Sequence, residues 1–310
     1  MSPRAWVLFA SVSVIWGMPY LFIKIAVEDL SPSVVAWGRL ALAAAVLLPV
    51  AWKLGALQGL RERWRIITVF AAVEMAVPWP LIGYGEVHVS SSLAAILIAA
   101  VPLFVALLAT RFDHAERPTP TRLVGMLIGL VGVVALVGID IGGHTEQLLG
   151  ALAILVAAFL YAVGPMIVKR RLSDVDPLGP VAASLAIATL LVTPFALADV
   201  PDSVPSTDTI ASVVVLGLLC SALAFLFFFR LIAEIGPGRA TVITYVNPVV
   251  ALGLGVAILD ESVTTGVAVG LLLILAGSWL STDGRVPPGL ASLAQRVRGR
   301  PRARGSEAPG

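Results

Sequence analysis

Charge is what this chain has least of. Asp, Glu, Lys and Arg make up only 13% of its 310 residues, about half the share of a soluble domain. There is one cysteine, Cys220, set in an apolar run, so a disulfide framework or a cysteine metal cluster is excluded and a small packing role remains. The three histidines, His88, His114 and His144, fall where loops are expected, which leaves no histidine metal site in an apolar segment. No H-E-x-x-H, P-loop or G-x-S-x-G pattern occurs, which argues against a zinc protease, an ATP-driven pump or a serine hydrolase. No cofactor is expected, and no long polar stretch leaves room for a separate soluble domain.

What the chain has is hydrophobic residues, 58% of the total, with a mean hydropathy of +0.97. A helix needs roughly 20 mostly apolar residues to cross a bilayer. Cutting the apolar runs at charged or Pro/Gly-rich breaks predicts ten such segments, at 5–26, 32–52, 64–84, 90–110, 121–139, 149–168, 178–198, 209–232, 238–259 and 262–281. The expected fold class is therefore all-α integral membrane, with ten transmembrane helices. Arg4 ahead of the first run resembles a signal peptide, but the run lacks an A-x-A site and nine more follow, so a retained helix is expected.

Positive residues mark the cytoplasmic side of a membrane protein. With the N-terminus inside, nineteen of the 21 Lys and Arg residues fall in cytoplasmic loops or the tail. Lys24 alone is external, and Arg39 lies within a span. Glu28, Asp29, Glu86, Asp140, Glu146, Asp199, Asp202 and Asp208 are expected in external loops. The predicted protein is multi-pass in a bacterial inner membrane, with both termini cytoplasmic.

Sliding the chain by 145 positions superposes Lys24 on Lys169, Pro32 on Pro177, Pro49 on Pro194, Glu116 on Glu261, Gly125 on Gly270 and Gly132 on Gly277. With one residue inserted, Ala94 meets Ala240 and Pro102 meets Pro248. Five helices is an odd number, so a second copy enters the membrane from the opposite side. Residues 1–142 and 146–282 thus read as two inverted five-helix repeats, an arrangement common in secondary transporters. Residues 283–310, with six Arg and no Lys, read as a disordered cytoplasmic arm drawn to anionic lipid rather than to nucleic acid.

The runs WGMPYLFIK, LAAILIAAVPLFVALLATRFDHAERPTPTRLVGMLIGLVGVVAL and GRATVITYVNPVVALGLGVAILDESVTTGVAVGLLLILAGSWL resemble the drug/metabolite transporter superfamily, in its bacterial EamA-type branch. The pattern is a small-residue helix with a central Pro, an acidic residue, then a Gly-spaced helix, once per half: Pro102, Glu116, Gly125 and Pro248, Glu261, Gly270. The resemblance covers residues 5–282. It implies export of amino acids or other small metabolites, with import as the alternative. A membrane-embedded enzyme would need paired catalytic groups on one cavity, and a receptor or scaffold would be signalled by a large loop.

Ionisable residues inside a span are costly and point to function. Glu74, ten residues into the third segment, lies about 15 Å deep at 1.5 Å per residue; Arg39 is about 10 Å deep in the second. Two readings stand. They form a structural pair, or they belong to a substrate pocket in which Arg39 holds a carboxylate and Glu74 takes an amine or a coupling proton. Pro78 and Pro80, a turn beyond Glu74, are expected to kink or unwind that helix. Pro102 and Pro248 are repeat-related candidate hinges, and Asn247 beside Pro248 is a candidate polar contact. Trp16 and Tyr161 occupy equivalent repeat positions near mid-helix, and Tyr20, Trp79, Tyr84 and Tyr245 are candidates to line the same cavity. Trp6, Trp52, Trp64 and Trp279 read as interface anchors. Gly125/Gly129 and Gly266/Gly270 have the GxxxG spacing of close helix packing, with dimerisation as the alternative. The expected partners are a small-molecule substrate and the bilayer; the sequence leaves the oligomeric state open, with a monomer among the options.

Overall fold

The computed structural model describes residues 1–112, 119–140, 144–236, 240 and 242–281, and these are helical with short connections. Glu116 and the tail from 283 lie outside the described residues. Eight helices are long and apolar enough to cross a membrane: α1 (Pro3–Ala26), α2 (Pro32–Lys53), α3 (Leu60–His88), α4 (Ser91–Ala109), α5 (Pro120–Gly138), α6 (Thr145–Arg171), α7 (Leu178–Ala198) and α8 (Thr207–Ile235). Two shorter apolar helices follow, α9 (Ile243–Leu259) and α10 (Thr265–Ser281). At 17 residues each they rise about 26 Å, close to a hydrocarbon core of about 30 Å.

Local sequence sets several starts. Ser2, Ser31, Ser90 and Ser206 each accept a hydrogen bond from a backbone N–H in the first turn of the helix that follows. Pro3 and Pro32 occupy first-turn positions where no N–H is needed. In a bilayer those orphan donors find no water, so the caps matter more than they would in a soluble protein.

The surface is apolar where a soluble protein would be polar. Leu127, Leu190, Phe195 and Leu272 are each more than 60% exposed, which fits hydrocarbon as the surrounding solvent. Trp6, Trp52 and Trp64 are also exposed, near the ends of their rods. The interior holds small and aliphatic side chains, with one cluster of Leu40, Ala43, Leu47, Met75, Trp79, Ala182 and Leu185 joining α2, α3 and α7.

Helix neighbours follow a rule: α2 packs on α7, α5 on α10 and α4 on α9, while α3 packs on α6 and α7 as α8 packs on α1 and α2. Exchanging each helix for the one five places along leaves this set of contacts unchanged. The α5–α10 seam is built on glycine. A Cβ on Gly277 would come within 2.5 Å of Gly129 Cα, and one on Gly125 within 2.5 Å of Ser281 N. The GxxxG residues Gly125 and Gly129 therefore pack within the chain.

Polar ties gather the connections at each end. At one end, Asp29 accepts from Ser206 N, at 2.9 Å, and from Thr209 Oγ1, at 2.8 Å. These bonds hold its carboxyl below the usual carboxylate range. Ser33 donates to Asp199 at 2.7 Å. Glu261 accepts from Ser91 N, at 2.7 Å, and from Ser92 N, at 3.0 Å, capping α4. At the opposite end Arg63 forks onto Asp174, with bonds of 2.6 and 2.5 Å, and lowers that carboxyl in the same way.

Several helices are interrupted inside. Pro19 breaks α1 after Met18, and α4 breaks at Ala99 ahead of Pro102. In α3, residues Ala72–Ala76 form a π-helical turn, with Val77 N donating to Ala72 O. Pro78 has no N–H to give Glu74 O, and its ring would crowd that carbonyl in an ordinary α-turn. A wider turn relieves that crowding, so the expected kink takes the form of a π-segment. α8 carries a second π-segment, Val215–Leu223. A shift of 145 places Ala72–Ala76 inside it, at 217–221.

Candidate functional site

A cavity of about 370 Å³ lies between the helices, lined by Trp16, Tyr20, Arg39, Glu74, Trp79, Tyr161, Pro102, Asn247 and Pro248 among others. It takes side chains from α1 to α4 and from α6, α8 and α9, so residues on both sides of 145 build it. Its volume falls within the range of about 300–1,000 Å³ usual for small-ligand pockets.

Arg39 is 9% exposed. Its Nε donates to Ser221 Oγ at 2.9 Å, and its guanidinium carbon sits 3.8 Å from the centre of the Trp79 ring. Ser221 in turn donates to Leu216 O at 2.9 Å, an i−5 carbonyl within the π-segment of α8. That turn therefore holds the hydroxyl that orients Arg39. A Cβ on Gly217 would meet Leu42 and Arg39 O, so glycine there lets α8 come close enough for the contact.

Glu74 belongs to the other π-segment. Its Oε2 is buried against Gly164 of α6 and has no hydrogen-bond partner; a Cβ on Gly164 would lie 2.8 Å from Glu74 Cδ. The direct Arg39–Glu74 pair, one of the two readings of the sequence, is absent. Both groups face one cavity, but Arg39 is taken up by Ser221 and Trp79, and no ion pair joins the two. Comparable depth in the membrane did not mean contact, because depth says nothing about which way each helix turns its side chain.

The aromatic wall is larger than expected. Trp16 meets Phe225 and Phe228 of α8, with ring centres 5.8 and 4.7 Å apart, and both phenylalanines line the cavity. Asn247, with its amide nitrogen turned inward, donates to Ile243 O, at 2.9 Å, and to Ser13 O, at 3.0 Å. That ties α9 to α1. Tyr245 and Pro78 are not among the lining residues; Tyr245 directs its hydroxyl to Ser278 O at 3.4 Å. Tyr84, 39% exposed, packs on His88 instead, and His88 is in the last turn of α3 rather than in a loop.

Sequence reasoning missed Ser221, Gly164, Phe225 and Phe228. The last two stand in the run "FLFFF", where nothing separates a cavity-facing ring from a lipid-facing one. Glu86 requires a correction. Expected in an external loop, it lies in α3 and is fully buried, because α3 continues four residues past the predicted end.

Apolar rods thus surround a cavity that takes in the guanidinium of Arg39 and the carboxyl of Glu74. The chain is similar to known proteins over almost its whole length. The EamA-like transporter family matches it twice, over residues 4–138 and 148–282, and the chain belongs to that family, within the drug/metabolite transporter superfamily. It is 27% identical to an uncharacterised transporter of Archaeoglobus fulgidus, over 89% of this chain and 98% of that one. It is 30% identical to the uncharacterised inner membrane transporter YedA of Escherichia coli, over 83% of each. A protein of Streptantibioticus cattleyicolor described as a probable terminal-alkyne amino-acid exporter is 29% identical, over 90% of this chain and 93% of that one. A solved crystal structure with 21% identity superposes with a TM-score of 0.64, covering 95% of this chain and 99% of the other, and so shares the fold.

Proposed function

We propose that this protein is a secondary transporter that exports amino acids or similar small metabolites by alternating access around the central cavity. The observation that carries this reading is the cavity itself, in which Arg39 and Glu74 are both present and are not paired with each other. A zwitterion offers a carboxylate to the first and an ammonium to the second, and the Trp16 wall suits an apolar side chain. The amino-acid export named for the Streptantibioticus relative agrees with this. Ten spans in two inverted halves give the cavity its two-sided access. That architecture is supported by the double family match and by the principal helix contacts, α2–α7, α5–α10, α4–α9, α3–α6 with α8–α1 and α3–α7 with α8–α2, which map onto one another when the halves are exchanged. The charge bias places both termini, and the Arg63 end, in the cytoplasm. A proton moving through Glu74 is one available driving force.

The test is flux in liposomes containing the purified protein, loaded with a panel of radiolabelled amino acids. At least one zwitterionic member should leave faster than from empty liposomes, and Arg39→Gln and Glu74→Gln should each slow it at least tenfold. Transport that is indifferent to both substitutions, or no transport of any member, rejects the reading.

A further inference from the structure

Glu86 is the most deeply buried carboxyl group of the described residues, with no solvent exposure. Neither Oε1 nor Oε2 has a hydrogen-bond partner. The obvious counter-charge is engaged elsewhere: Lys24 Nζ donates to Glu86 O at 2.6 Å and to Val89 O at 2.9 Å. It thereby caps the C-terminal end of α3 with a positive charge. The charged groups that reach the carboxyl are Lys24 on α1, Arg39 on α2 and Glu261 between α9 and α10, with the Tyr20 hydroxyl on α1 also near. From α6, Ile154 and the Gly150 carbonyl press against Gly85 next to it, and neither residue brings a charged or titratable side chain. Ser91 Oγ, at the start of α4, is also buried without a partner.

An ionised carboxylate buried without a donor from the surrounding protein is far more costly than the neutral acid. A leucine or methionine would fill the same space at no such cost. The group is therefore one that the closed packing around Asp29, Lys24 and Glu261 encloses with its proton on. Parting that end would hydrate the carboxyl and release Lys24 from its carbonyls, and both changes favour the anion.

We propose that Glu86 is a second proton-binding site, apart from the cavity carboxyl Glu74. It is loaded as the neutral acid while the Asp29 end is shut and gives its proton to water on that side when the end opens. One proton leaves a carboxylate oxygen for water on opening and returns before closure, with no other reactant. In the transport cycle this makes Glu86 a proton-dependent latch of the Asp29 end, which can close again only once the carboxyl has regained its proton from the external side, a role that rests on the transporter reading above.

Two measurements test it, and the first needs no substrate. Infrared spectra of the whole protein in lipid nanodiscs at neutral pH should show the carbonyl stretch of a protonated carboxyl that Glu86→Gln removes and Glu86→Asp shifts. The band should bleach reversibly as the pH is raised while the protein stays folded. Spectra unchanged by either variant, or a band that persists until the protein unfolds, overturn the proposal. The second measurement is amino-acid flux from liposomes with and without an inward proton gradient. Glu86→Gln should lose at least tenfold of the stimulation the gradient gives the wild type, and a full response rejects the coupling role. If the wild type moves no amino acid, the transporter reading fails while the infrared result still decides whether Glu86 binds a proton.

Discussion

At the scale of single residues, Arg39 and Glu74 show how a buried charge is accommodated. Each could have been neutralised by the other, yet Arg39 spends its Nε on Ser221 and its face on Trp79, and Glu74 lies against Gly164. Groups without contact or shared partners are expected to act additively. In a double-mutant cycle of Arg39→Gln and Glu74→Gln, the two stability losses should therefore sum to within about 0.5 kcal/mol. Ser221→Ala, which strands the Arg39 Nε in the interior, should by itself cost about 1–3 kcal/mol. Thermal unfolding of the wild type and the four variants reads both. A coupling above about 1 kcal/mol between the first two would restore the picture of a pair locking α2 to α3.

At the scale of helices, the interruptions and the glycine seams are complementary devices. The π-segments of α3 and α8 occupy matching places in the two halves and bring Glu74 to the cavity and Ser221 to Arg39. The seams hold neighbouring helices at close approach. The α5–α10 contact is the clearest: Gly277→Ala would put a methyl against the Gly129 backbone, which cannot turn aside as a side chain can. That substitution should lower stability by about 1–3 kcal/mol. A Cβ on Gly253 in α9 would meet nothing within 4 Å, so Gly253→Ala should raise stability by about 0.5–1 kcal/mol through its effect on the unfolded chain. Unfolding midpoints of the two variants in the same detergent check this; equal effects of the same sign would show that the seam is not close-packed.

For the whole molecule, orientation is the property on which the meaning of every site depends. In a Cys220→Ala background, where the buried thiol is gone, a cysteine placed at exposed Asp202 should react with membrane-impermeant reagent in intact cells. One placed at exposed Gln58 should react only after the cells are opened. The reverse pattern would put the Arg63 end outside and turn export into uptake. It would also move the proposed proton site Glu86 to the cytoplasmic side.

How much of this was legible in the chain follows from the kind of information each feature needs. Composition and run length determined the solvent: a chain with 13% charged residues and apolar runs of about 20 has to form helices in lipid, because no other open structure satisfies its backbone there. Spacing revealed the duplicated pattern, and cost arguments picked out Arg39 and Glu74. The same reasoning misplaced Glu86, because the charge itself was taken as the end of a span, whereas the backbone stayed helical to His88 under the cap that Lys24 supplies. Pairing, cavity lining and burial depend on the rotation of each helix about its axis and on which neighbour a glycine admits. Tertiary packing alone decides these, which is why Ser221, Gly164 and Phe228 came to light only in the folded protein.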